Sequence, residues 1–233
     1  MTSRFVRILG LAAPGLACLS LACLPWQSAA AAELGVYAGV SYAQVNNGVK
    51  QSDFDAAGFN ILAGEGFVPD AAAVSFDNKG PGYNFVVGYR LFPWLAVEGG
   101  YMDMGKVSHR IVSDGTQFDA PANANLSINA KSSGITVSAL GILPLSYRWE
   151  VYGRAGAVFA TNRLSLFITD SLGQGSGQTS GSKTNFLAGA GVSMSLAEVY
   201  GVRLEYQRIF AVEAEQIGEG DVDFLTLGVT VQF

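Results

Sequence analysis

Arg90, Glu98, Arg154, Arg203 and Glu205 are isolated charges, each placed where strand alternation sets it apart from an apolar row. Glu150 is a further residue of the same kind. Alternation along a strand sends such a residue to one face and its neighbours to the other. Charges gathered on an enclosed face must pair or meet internal water, because an isolated buried charge is costly. Two uses follow: an electrostatic plug that fixes an interior, or a narrow gated pore in which Arg–Glu partners exchange to open a water path. His109 suggests different chemistry. It is the sole histidine and has Ser108 beside it, with Asp103 and Asp114 nearby, which invites a hydrolase reading. A general base also needs an oriented partner and a substrate site. The spacing supplies neither, so His109 is expected to be a solvated loop residue at or above a rim, and no catalytic residue is assigned. No metal is expected, with one histidine and cysteines only at Cys18 and Cys23. No glycine-rich loop precedes a helix in the way phosphate binding requires, and no cofactor is implied.

The elements that must position these charges are strands. Residues 225–233 read L-T-L-G-V-T-V-Q-F. Leu225, Leu227, Val229, Val231 and Phe233 form an apolar row, while Thr226, Gly228, Thr230 and Gln232 form a small or polar one. A strand with one greasy face needs partners on both edges. The same alternation recurs at about 33–45, 82–92, 95–105, 133–143, 147–160, 185–196 and 199–210. Eight strands of roughly 10–12 residues result, close to the length that crosses a membrane as a tilted strand. Connections alternate: long at 46–80, 106–132, 170–183 and 211–220, short at 92–94, 144–146 and 197–198. The first long connection holds Phe54, Phe59, Ile61, Leu62, Phe67 and Val68, enough to fold over itself or to serve as a partner-binding loop. The second is expected to continue its hairpin beyond the sheet, and the third has no core-forming residues.

Two architectures accommodate such strands: a soluble calyx with the apolar row inside, or a membrane barrel with that row outside. In a calyx the other row would carry long charged side chains. Here it is mostly Gly, Ala, Ser and Thr, which suit a crowded interior. Tyr42, Tyr83 and Tyr101 lie toward the long connections, while Phe92, Trp94, Tyr147, Trp149 and Tyr200 lie toward the short turns. Two aromatic bands around an aliphatic belt, with short turns on one side and long loops on the other, are the pattern of a transmembrane barrel. The expected fold is therefore all-β, an eight-stranded antiparallel up-and-down transmembrane β-barrel.

Residues 1–32 read as an export signal, with Arg4 and Arg7 before an apolar stretch and Ala30, Ala31 and Ala32 before Glu33. A lipoprotein signal would place leucine three residues before Cys18 or Cys23, where Gly15 and Ser20 stand. Removal of the signal leaves 33–233 as the barrel and takes both cysteines with it. Lys+Arg then falls from 14 to 12 against 19 Asp+Glu, a formal charge of −7. An acidic exported chain is a poor nucleic-acid binder.

Three groups of residues carry a resemblance: Gly88-Tyr89-Arg90 followed by Val97-Glu98-Gly99-Gly100-Tyr101; Val151-Tyr152-Gly153-Arg154; and Arg203-Leu204-Glu205-Tyr206-Gln207. Together with Phe233 and its alternating apolar row, they make the chain resemble the OmpA-type eight-stranded outer-membrane barrels of Gram-negative bacteria over residues 33–233. The resemblance implies an outer-membrane location, with outer-membrane lipid and lipopolysaccharide as surroundings. It also implies that the insertion machinery reads Leu225, Leu227, Val229, Val231 and Phe233 as an assembly signal. Lumen ion pairs are implicated in gating within that family. The chain departs from it in showing no peptidoglycan-binding domain after the last strand, so a cell-wall tether is not implied. The function expected is structural or surface-interactive, through extracellular loops that would meet ligands first. The alternatives are a narrow gated pore for ions or small solutes, and an outer-membrane enzyme acting on lipid.

Overall fold

A computed structural model of the chain describes residues 34–64, 66–116, 124–170, 173–214 and 218–233. The segment 1–32, expected to be an export signal, lies outside the described residues. Nine strands and one helix follow in order: β1 (Gly35–Asn47), α1 (Gln51–Gly64), β2 (Phe67–Asp77), β3 (Lys79–Phe92), β4 (Leu95–Thr116), β5 (Ala124–Pro144), β6 (Trp149–Thr169), β7 (Gln174–Ser195), β8 (Tyr200–Ala214) and β9 (Gly218–Gln232). Eight of the strands close a ring, β1-β3-β4-β5-β6-β7-β8-β9, with every neighbour antiparallel. Closure pairs Tyr37 with Gln232 and runs up to Asn47 with Val222. The ninth strand, β2, lies outside the ring and pairs only with the outer half of β4, Asp77 opposite Ser108.

The alternation works as the sequence implies. Val40, Tyr42, Phe85, Tyr101, Ile135, Phe159, Phe186 and Leu227 are exposed on the outer face. Their neighbours turn inward. A closed ring leaves no backbone edge in lipid, which is the condition for a sheet to span a membrane.

The strands are longer than expected on one side. β4 and β7 have 22 residues each, and β5 and β6 have 21. At about 3.4 Å per residue and a tilt near 40°, 22 residues rise some 57 Å along the axis, against an apolar band about 25 Å tall. The expected loops at 106–132 and 170–183 are thus largely strand, a corrected boundary in both cases. The hairpin β4–β5 does continue beyond the membrane, as expected.

The connection 46–80 folds over itself as α1 and β2. Phe54, Gly58 and Leu62 fall four residues apart and form the buried face of α1, with Asp53 in the first turn where the helix dipole favours an acid. Phe54 and Leu62 pack on Phe67, Val107, Ile111, Leu126 and Ile128 of the extended sheet. Leu164, Leu166 and Ile168 of β6 pack against the same cluster. The end with the long strands is therefore a small helix-on-sheet layer with its own apolar core.

Candidate functional site

The lumen holds the charges that the sequence singles out. Arg154 and Glu98 meet at 2.5 Å (Nη2 to Oε2), and Arg154 Nε faces Glu205 Oε1 at 2.6 Å. Arg154 Nη2 also donates to Glu205 Oε2 at 3.2 Å, and its Nη1 to Ser138 Oγ at 3.3 Å. Arg203 Nη1 donates to Glu98 Oε1 at 2.7 Å. Two arginines and two glutamates thus form one neutral cluster, with Arg154 shared between both acids. Arg90 stands apart, toward the short-turn mouth. Its guanidinium makes a two-pronged pair with Glu150 at 2.8 and 3.1 Å and donates to the Pro93 carbonyl at 2.6 Å.

Two tyrosines complete the cluster; the sequence alternation sets both on the inward row but does not assign them to the ionic site. Tyr37 donates to Glu98 Oε1 at 2.7 Å, and Tyr152 donates to Glu205 Oε2 at 2.9 Å. Between them lies the Arg203 guanidinium, 4.9 Å from the Tyr152 ring centre and 5.7 Å from that of Tyr37. Space for the rings comes from Gly88 and Gly191. A Cβ at Gly88 would overlap the Tyr37 ring, and one at Gly191 would lie 2.5 Å from the Tyr152 hydroxyl. Glycines opposite large residues on the lumen face are the signal that could have found these two.

The lumen is not lined by small residues throughout. Toward the extracellular side, Val45, Met102, Met104, Val158, Leu187, Ile209, Val222 and Phe224 form a buried apolar layer. An ionic layer and an apolar layer thus fill the barrel in series, and α1 with its sheet core stands above both.

His109 is buried, which corrects the expectation of a solvated loop residue. It is 1% exposed, on the inner face of β4 beyond the barrel. Its Nε2 is 3.2 Å from Asp55 Oδ1 of α1. Phe54 and Phe76 lie edge-on to its ring, both at 5.8 Å. Burial pushes its pKa below the usual 6.5, and the Asp55 charge and the Ser75 backbone oppose this only in part. The candidate partners for a hydrolase disperse. Ser108 faces the other way and bonds Asn129 at 3.1 Å, and Asp103 pairs with Lys131 at 3.2 Å. Among the described residues no group of three His, Cys, Asp or Glu could hold a metal.

On β9, Leu225, Leu227 and Val229 are exposed outward, Val231 is half-buried and Phe233 is 78% exposed. The Phe233 N–H donates to the Val36 carbonyl at 2.9 Å, beside the seam that closes the ring.

Residues 15–233 match the model of the outer membrane protein beta-barrel domain. The chain belongs to this family. It is an outer-membrane protein with eight strands in the ring. Among solved structures, it is similar to Ail, the attachment invasion locus protein of Yersinia pestis, with 15% identity, 86% of this chain and 100% of that chain covered, and a TM-score of 0.45. It is similar to Neisserial surface protein A, with 16% identity, coverage of 85% and 97%, and a TM-score of 0.49. It is also similar to the N-terminal barrel domain of Pseudomonas aeruginosa OprF, with 14% identity, coverage of 86% and 100%, and a TM-score of 0.39. Comparison with curated proteins gave no match.

Proposed function

We propose that this barrel works at the cell surface, binding extracellular partners through its protruding sheet, and is neither an open channel nor an enzyme. The observation that supports this is the outer edge of β7. Residues 174–182 pair with β6, whereas β8 joins β7 only from Leu187 onward. Among the described residues no strand covers that edge. It is built of Gln, Gly, Ser and Thr, exposed along nearly all its length. A strand edge of this kind presents unpaired N–H and C=O groups that an extended peptide can complete. The apolar core under α1 gives the sheet the rigidity such docking needs.

The burial of His109 supports the non-enzymatic reading, since its imidazole lies beneath Phe54 and Phe76 and away from any substrate. The pore alternative draws support from the sharing of Arg154 between Glu98 and Glu205, because an arginine already bonded to two acids can exchange them. The apolar layer above weighs against it.

The test is adhesion of cells that display the barrel to immobilised host-surface and serum proteins. The comparison is a variant with Ser176→Lys and Gln178→Lys, which charges the edge without removing the strand. Cells with the native edge are expected to bind, and the charged edge to abolish binding while the protein keeps its heat-dependent gel mobility. Equal binding by both, or by cells lacking the protein, would end this reading.

A further inference from the structure

The lipid-facing wall of the barrel is not uniform. Along β1, β3 and β9 it carries large side chains such as Val40, Phe85, Tyr89 and Leu227. On β5, β6 and β7 two neighbouring register rows hold only glycine and alanine. One is Gly141–Gly153–Ala190 and the other Ala139–Ala155–Ala188. Larger residues border them: Leu143, Val151 and Val192 in the next row toward the short turns, and Val137 and Phe186 on the opposite side. Tyr206 of β8 stands beside Ala190. The wall is therefore hollowed into an apolar dent of about 650 Å³, with Gly141, Gly153 and Ala190 on its floor and Tyr206 and Leu225 at its edge.

The two glycines are not required by the barrel's own packing. Inward glycines are filled from inside: a Cβ at Gly156 would collide with Ser138, and one at Gly191 with Tyr152. A Cβ at Gly141 or Gly153 would meet nothing within 4 Å, and neither residue has a positive φ. Glycine weakens a strand, and these two stand opposite each other on neighbouring strands. Fluid acyl chains mould to leucine or valine as well as to glycine, so lipid alone does not call for them. A strand glycine with neither reason marks a close approach by another backbone.

The shape that fits lies on the same wall. Leu204, Tyr206, Leu225 and Leu227 of β8 and β9 are exposed outward and form a ridge beside the dent. Arg208, the first charge above it, is paired with Asp223 at 2.6 Å. A two-fold axis along the membrane normal, passing close to β7, sets each ridge against the other copy's dent. Five strands about 4.8 Å apart, over an apolar band about 25 Å tall, offer roughly 600 Å² per copy. The total of about 1,200 Å² reaches the size of stable protein interfaces. Between membrane-embedded surfaces packing supplies the attraction, and small residues strengthen it by letting backbones approach.

We propose that β5–β9 form a self-association surface: two copies dimerise in the membrane, with the Leu204–Tyr206–Leu225 ridge of each seated in the glycine–alanine dent of the other. This wall lies below the free edge of β7, and the inference does not rest on the surface-binding reading.

The experiment takes protein purified from outer membranes and labels it at Glu198→Cys, in an exposed short turn, with donor or acceptor dyes. The two are mixed in phosphatidylcholine vesicles, and energy transfer is followed as the protein is diluted in lipid. The native protein is expected to follow a dimer-to-monomer curve. Ala155→Leu/Ala190→Leu fills the dent with side chains that lipid tolerates, and should weaken association by about tenfold. Leu204→Ala lowers the ridge and should weaken it in the same direction. Val87→Leu, on β3 across the barrel, should leave it unchanged. Heat-dependent gel mobility checks that each variant is folded, and should the double variant fail to fold, Leu204→Ala carries the test. Absence of concentration-dependent transfer in the native protein would leave the dent to lipid chains or to another membrane protein, and overturns the proposal. So does association of the filled dent as tight as that of the native wall.

Discussion

The Arg154 guanidinium meets the Glu98 carboxylate at 2.5 Å in the middle of the barrel, with each side chain only 1% exposed. Both charges are shielded from bulk solvent. Glu98 also holds Arg203 and Tyr37, so its carboxylate ties β4 to β1, β6 and β8 across the lumen. This cross-bracing fills one level of the eight-stranded interior, below the apolar layer.

Glu98→Ala would leave two arginines sharing Glu205. Removing one partner of a buried pair costs about 3–5 kcal/mol, because the remaining charge stays desolvated. Urea unfolding in lipid vesicles should show a loss of that size for Glu98→Ala. Adding Arg203→Met to it should recover part of the loss. A loss well below 1 kcal/mol would mean that water reaches the cluster.

A variant of the second acid separates plug from pore. With Met102, Leu187, Ile209 and Phe224 still filling the lumen above, native protein and Glu205→Ala should both be silent in planar bilayers. Discrete channel events in the native protein, altered in size by Glu205→Ala, would favour the gated-pore reading.

The extracellular layer should come apart independently of the barrel. Phe54 and Leu62 are fully buried against the β4 and β5 extensions. Phe54→Ala is expected to cost about 3–5 kcal/mol, lost locally. Amide hydrogen exchange across 51–64 should accelerate while the exchange of barrel strands is unchanged. Uniform acceleration would place α1 in the same cooperative unit as the barrel.

Acid should loosen the same layer. The pKa of His109 is lowered from 6.5 in the folded state, chiefly by burial, so the unfolded layer binds the proton more readily. Stability conferred by the neutral ring is therefore complete above about pH 6.5 and declines as pH falls below it. Protease cleavage within α1 should increase from pH 7.5 to pH 5, and His109→Phe should flatten that dependence. An α1 that becomes more protected on acidification would reverse the sign and reject the argument.

The ring was legible because lipid enforces it. Every spanning strand must turn apolar residues outward at period two, and the lumen arginines and glutamates fall on the opposite parity. Above the membrane that constraint ends. Residues 174–182 are polar on both faces, so their composition reads as loop although they form strand. The helix was hidden because Gly58 interrupts the stripe of Phe54, Ile61 and Leu62, and Phe59 falls beside it. His109 was expected in a loop because the strand at about 95–105 was read as ending there, whereas β4 runs on through a bulge to Thr116. A bulge between Asp103 and Lys106, with Gly105 at φ +75°, shifts the parity of β4 by one residue. Below it Glu98 and Met102 point inward; above it Val107, His109 and Ile111 do. The same shift turns Lys106 outward.

The apolar row of β9 is open to a kinetic test. Phe233 buries little of its side chain, so Phe233→Ser should change the stability of the refolded barrel by less than about 1 kcal/mol. In cells it should slow the appearance of the heat-modifiable form, if the row is read during insertion. Normal accumulation of the variant would remove the assembly role.

Depth within the lipid belt gives the last prediction. Val229 pairs with Val40 on β1 and Val202 on β8, midway along the exposed row of β9. Leu225 stands opposite Tyr206, one register step below the Arg208–Asp223 pair. Arginine at the bilayer midplane of a barrel costs about 2–4 kcal/mol, and near the interface about 0–1 kcal/mol. Val229→Arg should therefore destabilise the barrel by several times more than Leu225→Arg, measured by reversible unfolding in vesicles. Asp223 would sharpen the contrast by pairing with an arginine at 225. Equal costs at the two positions would mean that the midplane does not lie at Val229.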